Sequence, residues 1–422
     1  MGIILKNAMY IDWKTLEFSN TDIKIEKDNN KLSFNKNIAP LQGDQLIDCS
    51  GKYVTKALAC GHHHVYSALS RGMGAPKKSP ENFHEILKYI WWTLDKSLTK
   101  EMTEASALYT ALASAKNGVS FVVDHHASPN FINSSLDTIA KAFEKVGVSH
   151  LLCYEITDRD GIDKANMGLE ETESYLENKQ GLVGLHASFT VGDQSMKKAV
   201  NLAEKYKSGL HIHVAEDTYD QEHSLKHYNK RVVERLHNFG VLNFSKSILG
   251  HCLHLSEKEK ELISSGKAWV VQNTESNLNN RVGFFNADGL SDRILLGTDG
   301  MHSDMLRSTK AAFFVGQNFD NIDYAKAYQR LRNIHKYLAE NKFTGDEDNN
   351  LVVFNYDSPT EFNKDNFLGH LIFGLEGRHT EYLISSGELI ISEGKPTKVN
   401  EQEILDFSKE MGNQLWHKMQ QI

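Results

Sequence analysis

The chain has 422 residues, of which 40% are hydrophobic and 24% are charged, values typical of a globular protein rather than a disordered one. Its 47 Lys and Arg against 55 Asp and Glu give a formal net charge of −8, which disfavours nucleic acid and anionic membranes as partners. No apolar run approaches the roughly 20 residues that a membrane helix needs, and the first residues do not resemble a secretory signal. Four scattered cysteines without a C-x-x-C pair indicate a reduced, cytoplasmic protein.

The two ends of the chain contain short apolar runs separated by turn residues. Residues 1–53 contain IILKNAMYI, DIKIEK and QLIDC, with turn residues at 29–30. Residues 350–398 contain LVVFNY, HLIFG and EYLISSGELIISEGK, the last predicted to be a hairpin that turns near 386–387. These runs predict strands of a small antiparallel sheet. Residues 399–422 carry apolar side chains at helical spacing and predict a C-terminal helix.

The middle of the chain, 54–349, repeats one pattern of an apolar run followed by a segment able to form helices. Continuous apolar strands that alternate with helices indicate a parallel sheet buried on both faces. Eight such units match the size of an α/β fold of the (β/α)8 barrel type. The eight runs are VTKALACGHHH (54–64), SFVVDHH (120–126), SHLLCYE (149–155), GLVGLHAS (181–188), GLHIHVAE (209–216), SILGHC (247–252), AWVVQN (268–273) and RILLGTDG (293–300).

Every one of these runs ends in polar or ionisable residues. In a barrel the carboxyl ends of the strands converge on one face, where active sites lie. The chain also contains 20 histidines, several of them clustered at these run ends. Because a strand that only built a core would have no reason to end this way, the pattern predicts an active site at the carboxyl face.

His62 and His64 end the first run and lie on the same side of a strand, because side chains alternate with period two. His213 ends the fifth run and Asp299 ends the eighth. Three imidazoles and one carboxylate suit one divalent metal, with zinc as the best fit and iron as the alternative.

Two further groups near these run ends suit proton transfer. Glu216 follows His213 by three residues, and a carboxylate beside an activated water can take its proton and return it to a leaving group. The alternative for Glu216 is a residue in the first turn of a helix. His251, in GHC, is expected to orient the water or to stabilise developing charge, and Asp299 is expected to share the proton transfer.

Several blocks resemble a known family. GHHHVYSALSRGM, HIHVAE, GHCLHL and LLGTDGMHSDM resemble the metal motifs of the amidohydrolase superfamily, in its deaminase and chlorohydrolase branch. More narrowly, DHHASPN, CYEITDRDG, GLHASFTVGD, WWTLD, QNTESNLNN and TDGMHSDM resemble the SsnA-type aminohydrolases. The resemblance extends from about residue 45 to the C-terminus.

The resemblance implies a role for each matching residue and an architecture for the chain. It makes His62, His64, His213 and Asp299 the metal ligands, Glu216 the general acid and base, His251 the neighbour of the attacking water, and His186 a substrate contact. It implies a single metal, because the fourth run reads LHAS and lacks the lysine that bridges two metals in other branches. It also implies a barrel over 54–349, a β-sandwich built from 1–53 and 350–398, and a homodimer.

Other side chains near the strand ends are candidate substrate contacts, each with a structural alternative. The alternatives are helix core, surface exposure or support of a metal ligand. These candidates are Tyr66, Arg71, Trp92, His125, Glu155 and Asn277, of which Asn277 is expected in a loop.

Some residues depart from the family pattern. Lys56 and Ala57 replace a Pro-Gly pair before the first metal motif, and Gln272 and Thr274 replace the histidine and proline of H-N-P. These departures leave the ligands intact but raise the question of substrate preference.

The sequence therefore predicts a mononuclear metal-dependent hydrolase of C–N bonds that deaminates a purine-like or other nitrogen heterocycle. A cyclic amidohydrolase that opens a ring and a chlorohydrolase are alternatives on the same scaffold. A non-catalytic metal- or ligand-binding protein is the last alternative, which the retained Glu216 and His251 disfavour.

Overall fold

The computed structural model describes residues 2–26 and 31–422 of the chain. The turn expected at residues 29–30 therefore lies outside the described residues. Within the two described ranges, no helix combines the length and the apolar character that crossing a membrane requires.

The described residues form strands of two to ten residues, and the strands of the middle segment are almost entirely buried. In chain order they are β1 (Gly2–Ile11), β2 (Phe18–Glu26), β3 (Leu32–Asn35), β4 (Gln45–Asp48), β5 (Tyr53–Lys56), β6 (Leu58–His63), β7 (Val119–His126), β8 (Ser149–Ile156), β9 (Val183–Ala187), β10 (Leu210–Val214), β11 (Ile248–His251), β12 (Trp269–Gln272), β13 (Ile294–Leu296), β14 (Leu351–Phe354), β15 (Thr380–Ser385), β16 (Glu388–Ser392) and β17 (Lys395–Pro396).

The helices lie mainly between the strands of the middle segment. In chain order they are α1 (Phe83–Ile86), α2 (Trp92–Ser97), α3 (Lys100–Lys116), α4 (Ser135–Val146), α5 (Ile162–Leu176), α6 (Asp193–Lys205), α7 (Thr218–Tyr228), α8 (Val232–Asn238), α9 (Glu257–Ser265), α10 (Thr274–Asn280), α11 (Met305–Phe319), α12 (Tyr324–Glu340), α13 (Phe367–Phe373) and α14 (Glu401–Met419). A π-helical turn, Leu87–Trp91, joins α1 to α2.

The eight strands β6 to β13 form one parallel sheet in chain order. Its two edges meet where β6 and the residues after β13 form a parallel bridge between His63 and Asp299. The Asp299 N–H donates to the His62 carbonyl over 3.2 Å, and the His64 N–H donates to the Asp299 carbonyl over 3.3 Å. All eight residues of β7 are buried, as expected for a sheet covered on both faces. The predicted (β/α)8 barrel is confirmed.

Gly297 allows the closing strands to approach closely. A Cβ atom at this position would lie 2.3 Å from the Asn273 Oδ1 atom and 2.9 Å from the His62 Cβ atom. Only glycine therefore fits in the segment that joins β13 to Asp299. The barrel closes beside two of the predicted metal ligands.

A second sheet is built from both ends of the chain, in the order β17-β16-β15-β14-β5-β1-β2-β3, with β4 paired to β1. Strand β5 pairs antiparallel with β14, which joins the N-terminal part to the C-terminal part. Its apolar core includes Ile3, Leu5, Ile23, Val353 and Ile384. The separate sheet built from the two termini is confirmed, while the division of the chain at residues 54, 350 and 399 stays a prediction.

Two predicted segments differ from the structure. In the run 54–64, residues up to Lys56 belong to β5 of the terminal sheet, and the barrel strand begins only at Leu58. HLIFG, predicted as a strand, is part of helix α13, where Phe367 and Leu371 are buried one helical turn apart. The hairpin is confirmed, since β15 and β16 pair with Ser385 opposite Glu388.

Candidate active site

Three strands of the barrel lead into strained backbone at their carboxyl ends. Ala215 after β10, His251 at the end of β11 and Asp299 after β13 have φ angles of 46°, 66° and 52°. Residues other than glycine rarely adopt this left-handed conformation, and each costs about 1–3 kcal/mol. The surrounding structure must stabilise these turns, which direct Glu216, His251 and Asp299 into one cavity.

The four predicted ligands converge at this end of the barrel. The His64 Nε2 atom lies 3.0 Å from the Asp299 Oδ1 atom and 3.2 Å from the His213 Nε2 atom. The His62 Nε2 atom lies 3.5 Å from the same carboxylate oxygen and is buried without a hydrogen-bond partner. Ligand atoms at about 2.05 Å from a tetrahedral zinc are separated by about 3.3 Å. The donor types and their spacing therefore suit a metal ion.

Backbone carbonyls set the tautomers of two of these histidines. The His64 Nδ1–H donates to the His125 carbonyl over 2.7 Å, and the His213 Nδ1–H donates to the His186 carbonyl over 2.9 Å. Because a carbonyl only accepts, the neutral rings carry their proton on Nδ1 and present the Nε2 lone pair to the site. When both rings are neutral, their Nε2 lone pairs face each other at 3.2 Å, an arrangement that a cation between them would stabilise.

A layer of buried histidines lies behind the ligands. The His62 Nδ1 atom is 2.9 Å from the His211 Nε2 atom. His125 lies 3.1 Å from the Leu185 and His211 carbonyls through its Nε2 atom, and 3.2 Å from the Glu155 carboxylate through its Nδ1 atom. These contacts fix the orientation of the ligand rings from below.

Glu216 and His251 lie side by side at the edge of the ligand group. The His251 Nε2 atom is 3.5 Å from the Glu216 Oε2 atom and 3.8 Å from the Asp299 Oδ2 atom. Burial raises the pKa of the Glu216 carboxyl to about 7. Burial also acts to raise the pKa of Asp299, but the imidazoles of His64 and His62 outweigh it and hold that pKa well below its usual value. Glu216 is thus the carboxyl suited to gain and lose a proton near neutral pH.

Helix α10 supports this pair. The His251 Nδ1–H donates to the Asn277 Oδ1 atom over 2.7 Å, and the Asn280 amide lies 3.5 Å from the Glu216 Oε1 atom. Residues 277 and 280 are three apart and therefore share one helix face. The same helix is tied to the Asp299 loop through Glu275, which accepts a hydrogen bond from His302.

A cavity of about 580 Å³ opens above the ligand group. Its floor includes His64, His213 and Asp299, and Glu216 and His251 form one side. An apolar part of the lining comes from α1, the π-helical turn and α2. Side chains that contribute to this wall are Phe83, Leu87, Trp91 and Trp92. A cleft that combines aromatic and aliphatic side chains with convergent polar groups is typical of a small-molecule binding site.

Comparison with known proteins agrees with this geometry. Residues 53–330 match the family model described as "Amidohydrolase family". The chain belongs to the amidohydrolase family. It is a metal-dependent hydrolase of the class that acts on carbon–nitrogen bonds.

Two relatives and one solved structure illustrate the likeness. The chain is 28% identical over 437 residues to a 5-methylthioadenosine/S-adenosylhomocysteine deaminase of Pyrococcus furiosus, covering 96% of this chain and 98% of that protein. It is 26% identical over 376 residues to a 5′-deoxyadenosine deaminase of Methanopyrus kandleri, covering 84% of each. The crystal structure of an adenosine deaminase from Xanthomonas campestris with bound zinc superposes with a TM-score of 0.83 at 16% identity, covering 98% of each chain.

Within this amidohydrolase site, four of the predicted substrate contacts line the cavity. These are Tyr66, Trp92, Glu155 and His186. The His186 Nδ1 atom is 2.6 Å from the Thr190 hydroxyl, which orients the ring. Their roles as substrate contacts stay predictions.

The other three predicted substrate contacts lie elsewhere. Arg71 is exposed and donates to the Tyr109 hydroxyl over 2.9 Å, because the 3-10 helix Val65–Ser70 turns the chain away from the cavity. His125 lies beneath the ligands, and Asn277 lies behind His251. Asn277 also belongs to helix α10 and not to a loop.

The sequence interpretation left out some of the residues that line the cavity. Arg159 lines the cavity and pairs with Glu155. Phe83, Leu87 and Asn280 also line the cavity. The signal for Asn280 was its spacing of three residues from Asn277.

The departures from the family pattern lie outside the cavity lining. The Gln272 Oε1 atom accepts from the Arg330 guanidinium over 2.8 Å, and its amide donates to the Thr274 hydroxyl over 3.0 Å. Lys56 is buried at the other end of the barrel, where it forms an ion pair with Asp346 over 3.2 Å. These residues have structural partners and do not contact the ligand group.

Proposed function

We propose that this amidohydrolase is a zinc-dependent deaminase that releases ammonia from a purine-like nitrogen heterocycle. The observation that carries the proposal is the convergence of three imidazole Nε2 atoms and one carboxylate beside Glu216 and His251 at the base of a cavity. The names of two relatives, both deaminases of adenosine-like compounds, support the same class of substrate.

We propose that His62, His64, His213 and Asp299 hold the metal. When bound there, zinc supplies Lewis acidity that lowers the pKa of water from 15.7 towards about 7. The choice of zinc over iron rests on the three nitrogen donors and one oxygen donor with spacing suited to a tetrahedron.

Glu216 carries the proton in the proposed reaction. Its carboxylate accepts one proton from the attacking water as the water oxygen bonds to the ring carbon that bears the amino group. The protonated carboxyl then donates this proton to the amino nitrogen as the carbon–nitrogen bond breaks, so that ammonia leaves. The second water proton stays with the oxygen of the product, which balances the reaction.

His251 positions the water for this transfer. Because its Nδ1–H donates to Asn277, its Nε2 lone pair faces Glu216 and Asp299 and can accept a hydrogen bond from the water. The apolar wall that includes Trp92 and Phe83 packs on the heterocycle and excludes other water molecules.

The direct test is a screen of zinc-loaded protein against amino-substituted purines, pterins and their nucleosides, with ammonia and product mass measured together. The proposal predicts ammonia release and a product heavier by one mass unit. A gain of 18 mass units without ammonia would identify ring opening instead, and chloride release from chlorinated analogues alone would identify a chlorohydrolase. Ligand binding without turnover in every case would favour the non-catalytic alternative.

Two further features stay predictions. A homodimer is expected from the resemblance, and sedimentation at micromolar concentration would measure it directly. A cytoplasmic location is expected from the scattered cysteines, and fractionation of cells that express the tagged chain would test it.

A further inference from the structure

One buried carboxyl group close to Glu216 takes no part in the proposed reaction. Asp220 is the third residue of helix α7 and is only 3% exposed. Burial raises the pKa of this carboxyl to about 7, because its charged form is poorly solvated there. The Asp220 Oδ2 atom accepts a hydrogen bond from the Ala215 N–H over 2.9 Å. The carboxyl is therefore directed at the backbone just before Glu216.

The backbone of Ala215 is left-handed and depends on its hydrogen-bond partners. Its φ angle is 46°, a conformation that residues with a Cβ atom rarely adopt. Glu216 follows directly, and the next residue, Asp217, is the N-cap of α7 and accepts from the Tyr219 N–H over 2.9 Å. Two carboxylates from the start of α7 thus hold the chain on both sides of Glu216.

The carbonyl of Ala215 extends this restraint to the strand that ends in His251. It accepts hydrogen bonds from the Leu253 N–H over 3.2 Å and from the His254 N–H over 3.0 Å. His251, two residues before Leu253, also has left-handed backbone, with a φ angle of 66°. Ala215 therefore connects the segment that carries Glu216 to the segment that follows His251.

We propose that Asp220 is a positioning residue that holds Ala215 in its left-handed conformation and so directs Glu216 and His251 at the attacking water. Asp220 does not line the cavity above the ligand group, so its action passes through the backbone. The inference rests on the proposed function, because it concerns the two groups that handle the proton there. A misplacement of about 1 Å in such a group can lower a rate by about 100-fold.

The first test removes the acceptor. Asp220→Leu keeps a branched side chain but cannot accept from the Ala215 N–H. In the zinc-loaded protein, the turnover number for ammonia release should fall about 10- to 100-fold while KM stays within about threefold, because proton transfer acts in the transition state. Asp220→Asn keeps an acceptor oxygen and should restore most of the turnover. Turnover of Asp220→Leu within about threefold of wild type, or equal losses in Asp220→Asn and Asp220→Leu, would overturn the proposal.

Ala215→Gly tests whether the effect passes through the left-handed backbone. Glycine adopts a positive φ angle without the steric penalty of a Cβ atom, so the turn depends less on the carboxylate. The loss of turnover caused by Asp220→Leu should therefore be at least about threefold smaller in the Ala215→Gly background than in wild type. Equal losses in the two backgrounds would contradict the backbone route and overturn the proposal.

Glu171 in α5 offers a matched control. It is a buried carboxylate that accepts from the Ser134 N–H over 2.7 Å, and Ser134 is also left-handed, with a φ angle of 68°. Neither residue lines the cavity. Glu171→Leu should lower the free energy of unfolding in urea but leave the turnover number of the folded enzyme within about threefold of wild type. A loss of turnover as large as that of Asp220→Leu would indicate general damage and overturn the proposal.

Nitrogen-15 spectra of histidine-labelled, zinc-loaded protein report on His251 without any substrate. Asp220→Leu should shift or broaden the His251 signals, whereas Glu171→Leu should leave them unchanged. If the wild type releases no ammonia from any heterocycle, deamination is contradicted, and these spectra still decide the positioning role: unchanged His251 signals in Asp220→Leu would overturn it. If Asp220→Leu does not fold, Asp220→Ala takes its place. Failure of both variants to fold while Glu171→Leu folds would assign Asp220 to stability and overturn the proposal.

Discussion

The two ends of the barrel both contain a cluster of buried ionisable groups, and the clusters differ in how their atoms are paired. At the amino end, the Asp346 carboxylate lies 3.2 Å from the Lys56 Nζ atom and 2.7 Å from the His335 Nδ1 atom. The Arg332 guanidinium donates to the Lys56 and Ala57 carbonyls over 3.1 Å. Each positive group there has a negative or carbonyl oxygen as its partner.

At the carboxyl end of the barrel, imidazole nitrogens face each other instead. The Nε2 atoms of His64 and His213 lie 3.2 Å apart, and the Nε2 atom of His62 has no hydrogen-bond partner. The backbone there is left-handed at His251 and Asp299, whereas neither Lys56 nor Asp346 has a positive φ angle. A cluster whose charged groups pair with one another therefore stabilises the fold. A cluster of converging metal-ligand atoms that lack partners of their own binds a group from outside the chain.

The comparison predicts that Glu216→Gln affects catalysis and not stability. Glutamine keeps the shape of the side chain but cannot accept the proton of water, so turnover should fall about 10²- to 10⁴-fold. Zinc content and melting temperature should stay unchanged, because Glu216 is not among the proposed ligands. The measurement is steady-state ammonia release together with elemental analysis of the same sample. Turnover within a factor of three of wild type would contradict the proton-transfer role.

Asp346→Asn should have the opposite effect. It leaves the buried Lys56 without its carboxylate, and breaking a buried ion pair costs about 3–5 kcal/mol. The free energy of unfolding should fall by about this amount in a urea titration, while zinc content and turnover of the folded enzyme stay at wild-type values. If the variant lost zinc under conditions in which it is fully folded, the two ends of the barrel would not be independent.

Asn277→Leu should reduce turnover by about tenfold, since it removes the acceptor that fixes the His251 tautomer. Asn277→Asp keeps an acceptor oxygen at the same place and should restore most of the turnover. Nitrogen-15 spectra of histidine-labelled protein should show His251 protonated on Nδ1 in the wild type and as a tautomer mixture in Asn277→Leu. An unchanged spectrum would mean that another group orients this ring.

The smallest predicted effect is the pH dependence of the amino-end cluster. Burial raises the pKa of Asp346, but the His335 and Lys56 charges outweigh it and hold that pKa below its usual value. The pKa of an aspartate in the unfolded chain is about 3.9, so the ion pairs of Asp346 stabilise the folded protein fully above that pH. This stabilisation is lost as the pH falls through the lower pKa of Asp346 in the folded protein. The stability difference between wild type and Asp346→Asn should therefore shrink as the pH falls below about 4, where Asp346 gains a proton. A difference that does not shrink between about pH 4 and about pH 2 would contradict the pairing.

Much of the barrel could be predicted from the sequence because apolar runs ended in polar residues at regular intervals. Because side chains alternate between the two faces of a strand, the sequence was enough to place His62 and His64 on the same face. The direction of Arg71 was not predictable, since it depends on the 3-10 helix that follows His64. Asn277 was assigned to the cavity because the residues after β12 were expected to form a loop, whereas α10 turns its side chain towards His251.

Residues whose partners lie far along the chain were the hardest to interpret. Lys56 departs from the family pattern beside the first metal motif, which suggested an effect on the site. Its partner Asp346 lies 290 residues later, and only the folded structure brings the two together. Arg159 illustrates the same limit, because its partner Asp95 is 64 residues away and lies in helix α2.

The central claim is that His62, His64, His213 and Asp299 hold one metal ion. Elemental mass spectrometry of protein purified without chelator tests it most directly, with Asp299→Asn measured in parallel. The account predicts about one zinc per wild-type chain and a much lower content in the variant. Two metals per chain, no metal after reconstitution with zinc or iron, or equal content in the variant would contradict it.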